Sequence, residues 1–162
     1  EDGIRDRDVT GVQTCALPIC AFCAYQERSH RDVRDKLYSL GLNKEEVEQG
    51  IAVLVEEGFL NELRFAMAYA SGKFRIKKWG RIKIKVGLKQ HGVSDYSIRK
   101  ALQQIDEQEY IQTLRSLIGK KKSSLKGTQN RLKVLQVMLR TGISHGFEPE
   151  VVRSLINLPE EN

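Results

Sequence analysis

The chain repeats itself. Shifted by 51 residues, Val33, Leu37 and Gly41 fall on Ile84, Leu88 and Gly92, and Val47, Ile51 and Leu54 fall on Ile98, Leu102 and Ile105. Asn43, a residue type that caps helix N-termini, falls on Ser94, another. Apolar residues three and four apart define one face of a helix, and a glycine after such a stripe is where helices end. A weaker third copy follows, in which Gly146-Phe147 stands 54 residues after Gly92-Val93 and is followed by Val152 and Ile156. Leu132, Leu135, Leu139 and Ile143 supply the stripe before it. One copy is too short to enclose a core, so neighbouring copies must stack. The expected fold is all-α: tandem three-helix repeats, helix–turn–helix-like modules, in an elongated or curved array.

The first copy reads as three helices. Val33, Leu37 and Leu40 form one stripe, and Val47, Ile51, Leu54 and Val55 form the next. Asn61 caps a third helix, with Phe65, Ala68 and Tyr69 inward. Module boundaries are placed at 20–71, 72–119 (the basic module) and 120–162 (a basic linker and an incomplete module). Arg81 to Val86 alternates at period two, which is a strand signal. The repeat outweighs it, because Ile84 and Leu88 occupy the helix positions of Val33 and Leu37, and a lone strand is not stable. Gly119 to Gly127 has the composition of a mobile linker. Residues 1–19 show no sustained helical or strand period, and Pro18 precedes the helical pattern. The run Arg7–Ile19 resembles translated sequencing-adapter DNA, so this segment, Cys15 included, is expected to be non-native, with native chain from about Cys20.

Charge is distributed unevenly. Residues 1–62 carry 13 acids and 7 bases, net −6, whereas residues 63–147 carry 4 acids and 19 bases, net +15. Two stretches, Leu63–Ser94 and Tyr110–Phe147, contain no acid at all. Such a field attracts a polyanion, with affinity drawn from counterion release at phosphates. The residues expected to form the contact surface are Lys73, Arg75, Lys77, Lys78, Trp79, Arg81, Lys83, Lys85 and Lys89 in the first stretch. In the second they are Lys120, Lys121, Lys122, Lys126, Arg131 and Lys133. Lysines outnumber arginines among them, which suits backbone attraction more than bidentate base reading. Phe74 and Trp79 could stack on unpaired bases or pack in the core. The bland alternative for the whole surface is a solvated basic face.

Signatures of enzymes are missing. No phosphate-binding glycine loop and no His-Glu-x-x-His occurs. His91 and His145 each precede a module glycine, where a cation suits a helix C-terminus. Cys20-x-x-Cys23 lacks a second pair, and His30 adds one ligand only, so reduced thiols are expected rather than zinc. No apolar run reaches the roughly 20 residues that span a bilayer. The second helices of the two turn motifs open with Lys44-Glu45-Glu46 and Asp95-Tyr96-Ser97, whose acids would repel phosphates. Sequence-specific operator reading is therefore not expected. No catalytic residue, cofactor or metal site is assigned.

Several runs together resemble the RecX family. Ala21–Leu40, with Glu27-Arg28-Ser29-His30 followed by Val33 and Leu37, is similar to the family's opening. The run from Glu57 through Gly58-Phe59-Leu60-Asn61 to Ala66 is similar to its most recognisable stretch, with Asn61 where the family more often has aspartate. Lys78-Trp79-Gly80-Arg81-Ile82 with Leu88, Gly92 and Val93 resembles the second module, and Gly146-Phe147 with Val152 the third. The match covers about residues 20–157. This resemblance implies tandem three-helix repeats and, as partner, the RecA recombinase filament on single-stranded DNA. It implies restraint of filament growth, strand exchange and ATP turnover without catalysis by this chain. A cytoplasmic monomer, not membrane-bound, acting in DNA recombination, repair and the SOS response is the matching expectation. The alternative is a general, non-sequence-specific DNA-binding helical protein with no RecA target.

Overall fold

The computed structural model describes residues 12–125, 127 and 130–157, with side chains from residue 18 to residue 156. All regular structure among them is helical. The order is α1 (Val12–Tyr25), α2 (His30–Ser39), α3 (Lys44–Glu56), α4 (Glu62–Lys77), α5 (Arg81–Gln90), α6 (Asp95–Gln103), α7 (Glu107–Ser124), α8 (Arg131–Ser144) and α9 (Pro149–Asn157). The chain divides into two compact units, one ending at Phe65 and one beginning at Ala66.

The repeat is visible in the backbone. Gly41, Gly92 and Gly146 follow α2, α5 and α8 with φ of 90°, 75° and 87°, a left-handed conformation that side chains with a Cβ disfavour. At each, the next amide reaches back over the turn: Leu42 to the Leu37 carbonyl (3.4 Å), Val93 to Leu88 (3.2 Å) and Phe147 to Gly142 (3.1 Å). The apolar residue after each glycine is buried, so the same bond that stops the helix also seats a core residue. The next helix then opens on Asn43 or Ser94, whose side chains accept from the amides of Glu46 and Ser97. Pro149 opens α9, a position where proline's missing N–H costs nothing.

In the first unit the core is Ile19, Cys23, Val33, Leu37, Leu42, Val47, Ile51, Leu54 and Leu60. Truncating one of these, Leu37 for example, should cost about 2–5 kcal/mol. In the second unit Phe74, Tyr110 and Phe147 pack in sequence, with ring centroids 5.8 and 4.8 Å apart. Ile84, Leu88, Ile98, Leu114 and Val152 are buried in the same unit.

Several expectations need correction. Helix α1 starts at Val12 and runs through Pro18, so the segment 12–19 is helical although its sequence carries no helical period. Pro18 removes one helix hydrogen bond, but Ile19 and Cys23, four apart on α1, are both buried in the core. Residues 1–11 lie outside the described residues. The module boundaries at 71/72 and 119/120 lie within the spans of α4 and α7. Residues 119–124 complete α7 instead of forming a linker, and lysines in a last helical turn oppose the negative end of the dipole. On α4 the buried residues are Phe65, Ala66, Ala70 and Phe74, while Ala68 is exposed and Tyr69 half-buried. On α8 they are Met138 and Gly142, whereas Leu132 and Ile143 are exposed, as are Leu40 and Val55. The alternating stretch Arg81–Val86 is helical, as the repeat requires.

Candidate nucleic-acid and protein interface

The start of α5 is pressed against the turn between α8 and α9. Gly80 donates its amide to the His145 carbonyl (2.8 Å), and Ile82 donates to Gly146 (3.0 Å). A Cβ on Gly80 would lie 2.3 Å from the Gly146 backbone, and one on Gly146 would lie 2.2 Å from Lys83 Cβ. Two glycines are thus required for this approach. Arg81 closes it electrostatically. Its guanidinium sits 4.1 Å from the Tyr110 ring centroid and bonds Glu107 (2.6 Å), with Glu148 at 3.9 Å. The Arg81 amide donates to the Tyr110 hydroxyl (3.1 Å), which donates to Glu148 (2.5 Å). Burial, then the bond to Glu148, pushes the Tyr110 phenol well above its ordinary pKa. Burial works against the Arg81 charge, but Glu107, Tyr110 and Glu148 outweigh it and leave its pKa raised.

Arg81 therefore joins two modules. Two other expected contact cations are also engaged at the surface: Arg75 with Glu109 (3.6 Å) and Lys89 with Asp95 (3.5 Å). Exposed pairs of that kind contribute about 0–1 kcal/mol and leave the side chains accessible. Sequence reasoning missed the junction, though one signal was present. Glu148 occupies the position that Asn43 and Ser94 hold in the other copies, directly after the glycine and its apolar neighbour. An acid there, rather than a short cap, has a carboxylate available for something else.

Trp79 is half-buried, and two ammonium groups lie by its ring, Lys73 at 5.0 Å and Lys83 at 4.9 Å from the centroid. Lys73 also lies 5.1 Å from the Tyr69 ring. Cation–ring contacts orient these lysines. Phe74, at 2% exposure, belongs to the core and offers no base a face. Lys83 donates to the Ser144 carbonyl at the end of α8 (3.3 Å). That same end of α8 lines an open groove of about 460 Å³ together with the C-terminal part of α7. Leu117, Lys120, Lys121 and Ser124 come from α7, and Thr141, Ser144 and His145 from α8. The two acid-free stretches of the sequence thus converge: the first through Lys83, the second through Lys120 and Lys121.

Lys77, Lys78, Lys85 and Lys122 are exposed on the same unit. Lys78 follows α4 with φ of 55°, a conformation the comparable turns give to glycine. Arg131 and Lys133 are not part of the convergence. They sit in the first turn of α8, roughly 17–20 Å along the helix from Ser144 at a rise of about 1.5 Å per residue. Lys126 lies outside the described residues. Among the described residues no group of three or more His, Cys, Asp or Glu could hold a metal. No described helix is long and apolar enough to cross a membrane. Cys20 and Cys23 are unbridged, and burial raises the Cys23 thiol pKa, with Cys20 adding to it.

The fold and this basic side define an all-helical repeat protein built from tandem three-helix modules. A family model described as the second three-helix domain of RecX matches residues 61–102, the span of α4 to α6. The regulatory protein RecX of Clostridium tetani is 34% identical over 144 residues, 88% of this chain and 66% of that protein. That of Clostridium perfringens is 29% identical over 130 residues, covering 80% and 60%. The crystal structure of RecX from Lactobacillus salivarius superposes with a TM-score of 0.82 at 18% identity, over 90% of this chain and 94% of that one. The chain belongs to the RecX family of regulatory proteins. It spans about half to two thirds of the length of the curated relatives it matches.

Proposed function

We propose that this protein binds the RecA filament on single-stranded DNA and inhibits its recombinase and ATPase activities, without catalysis of its own. The observation that carries this reading is the convergence of two acid-free stretches at the end of α8, in a chain of the RecX family. A protein lodged on a nucleoprotein filament meets phosphates and acidic protein surface together. A lysine-rich surface drawn from two stretches that carry no acid in sequence suits both. The contact surface comprises Lys73, Lys77, Lys78, Lys83, Lys85, Lys120, Lys121 and Lys122. Lys78 is its most telling member, since a lysine held in a glycine-type conformation points to a use for its charge.

The test is a titration of this protein into RecA turning over ATP on single-stranded DNA. Inhibition at substoichiometric amounts is expected. Tight DNA binding at moderate salt with no effect on RecA at saturating protein would replace this reading with that of a general DNA-binding module. Charge reversal at Lys77, Lys78 and Lys85 together should weaken inhibition about tenfold or more. Arg81 is left out of that variant because its loss would disturb the junction.

A further inference from the structure

The groove at the ends of α7 and α8 has a division of chemistry that the basic surface as a whole lacks. Leu117 and the His145 imidazole supply apolar and aromatic surface, while Lys120 and Lys121 stand exposed on the α7 side. The hydroxyls between them are committed as donors. Ser124 donates to the Lys121 carbonyl (2.7 Å), Thr141 to Val137 (2.7 Å) and Ser144 to Thr141 (2.9 Å). They therefore offer lone pairs, which suit amino groups and repel phosphate oxygens. His145 Nδ1 lies 3.0 Å from the Thr141 carbonyl, which holds the ring in place. Lys83 donates to the carbonyl of Ser144, so a further ammonium group stands beside one of the lining residues. No acid is among the lining residues.

We infer that this groove seats one nucleotide of a single strand: the base against Leu117 and His145, its amino edge toward the hydroxyl oxygens, and its flanking phosphates on Lys120 and Lys121. The volume falls within the roughly 300–1,000 Å³ of small-ligand sites. Base-on-ring stacking with cationic flanks is the general means of holding unpaired strands. A bare acidic protein segment would use the lysines but not the apolar and aromatic surface or the row of acceptors. The inference rests on the proposed reading of the protein as one that engages single-stranded DNA, and it adds where the strand is held.

The experiment uses the full chain, a fluorescent oligodeoxycytidylate, whose bases carry the amino edge, and the variant Lys120→Gln/Lys121→Gln, whose substitutions are exposed and leave the core untouched. Oligonucleotide affinity should fall at least tenfold. The slope of log affinity against log salt should drop by about 1.4, from two lost phosphate contacts at about 0.7 each. A 5-iododeoxycytidine oligonucleotide should crosslink to the peptides holding Leu117 and His145. Wild-type binding with an unchanged variant slope and crosslinks elsewhere would overturn the groove while leaving the functional reading intact. A variant that keeps oligonucleotide binding but loses RecA inhibition would make the groove a protein contact. Failure of the wild-type chain to bind the oligonucleotide, alone or with RecA, would remove both.

Discussion

The turn joining α2 to α3 and the turn joining α5 to α6 are built alike and dressed differently. Each helix ends on a left-handed glycine, each glycine is followed by a buried aliphatic residue, and each next helix opens on a capping side chain. Outside the core they part. Arg34 of α2 bonds Glu48 of α3 at 3.1 Å, and acids fill the first turn of α3. Helix α5 carries no acid; it exposes Lys85 and Lys89 beside Ile82 and Val86, and its first residue, Arg81, is drawn into a junction with Tyr110 and Glu148. Architecture here lives in the turn and the buried face, and partner choice in the surface. The two can be altered separately, and the following substitutions do so.

The largest effect should come from Gly80→Ala. The new Cβ would meet backbone atoms of Gly146 and Phe147 at 2.3–2.4 Å, which no rotamer change relieves. A loss of about 3 kcal/mol is expected in urea unfolding. The corresponding position before α2 is Ser29, whose side chain caps that helix, so Ser29→Ala should lose that cap, about 1 kcal/mol. Equal losses at the two sites would mean that the α5–α8/α9 approach is not as close as described.

Tyr110→Phe should cost about 2 kcal/mol, because it leaves the Glu148 carboxylate and the Arg81 amide without the hydroxyl that joins them. Arg34→Ala, which breaks an exposed pair, should stay within about 0.5 kcal/mol. Tyr110 also gives the wild-type fold an alkaline dependence. Folding raises the phenol's pKa, so above pH 10 the unfolded chain releases a proton that the folded one keeps. Its contribution is complete below about pH 10 and declines as the pH rises. Thermal melts from pH 9 to 11 should show this decline in the wild type and a flatter curve in Tyr110→Phe.

Gly41→Ala and Gly92→Ala separate the shared turn from the differing surfaces. Nothing lies within 4 Å of a Cβ at either site, so only the positive φ is penalised. Losses of about 1 kcal/mol each are expected, and they should be equal. A clear inequality would show that the two copies do not stop their helices in the same way.

What could be read from the sequence follows this division. Val33, Leu37, Ile84, Leu88 and the glycines after them obey period and turn chemistry, which are local and written in the residues themselves. The repeat overruled the misleading alternation at Arg81–Val86 for the same reason. The α8 stripe was misjudged because Leu132 and Ile143 satisfy the period yet lie off the buried face, which Met138 and the small Gly142 occupy against Val152. At 119–124 glycine and lysine share the composition of a loop and yet complete the last turns of α7. Of the basic residues, sequence gave sign and density but not engagement. That Arg81 faces Glu107 and Glu148 depends on residues 26 and 67 positions away, which no local pattern reports.

Lys78→Gly should have the smallest effect on the fold and the most informative sign. The residue sits at φ 55°, where glycine carries no Cβ penalty, and it makes its backbone turn through the Phe74 carbonyl irrespective of side chain. The substitution should leave stability unchanged or raise it by up to about 1 kcal/mol. If the charge of Lys78 serves the RecA–DNA contact, inhibition should weaken about two- to fivefold in the same variant. At Gly41, Gly58, Gly92 and Gly146 the same backbone conformation is met by the residue that fits it. Among the described residues, only after α4 does a lysine stand there, exposed on the second unit. A variant both more stable and less inhibitory would separate the demands of the turn from those of the surface at one residue. A variant that gained stability and kept full inhibition would return Lys78 to the solvated face and leave the contact to Lys77, Lys85 and the lysines of α7.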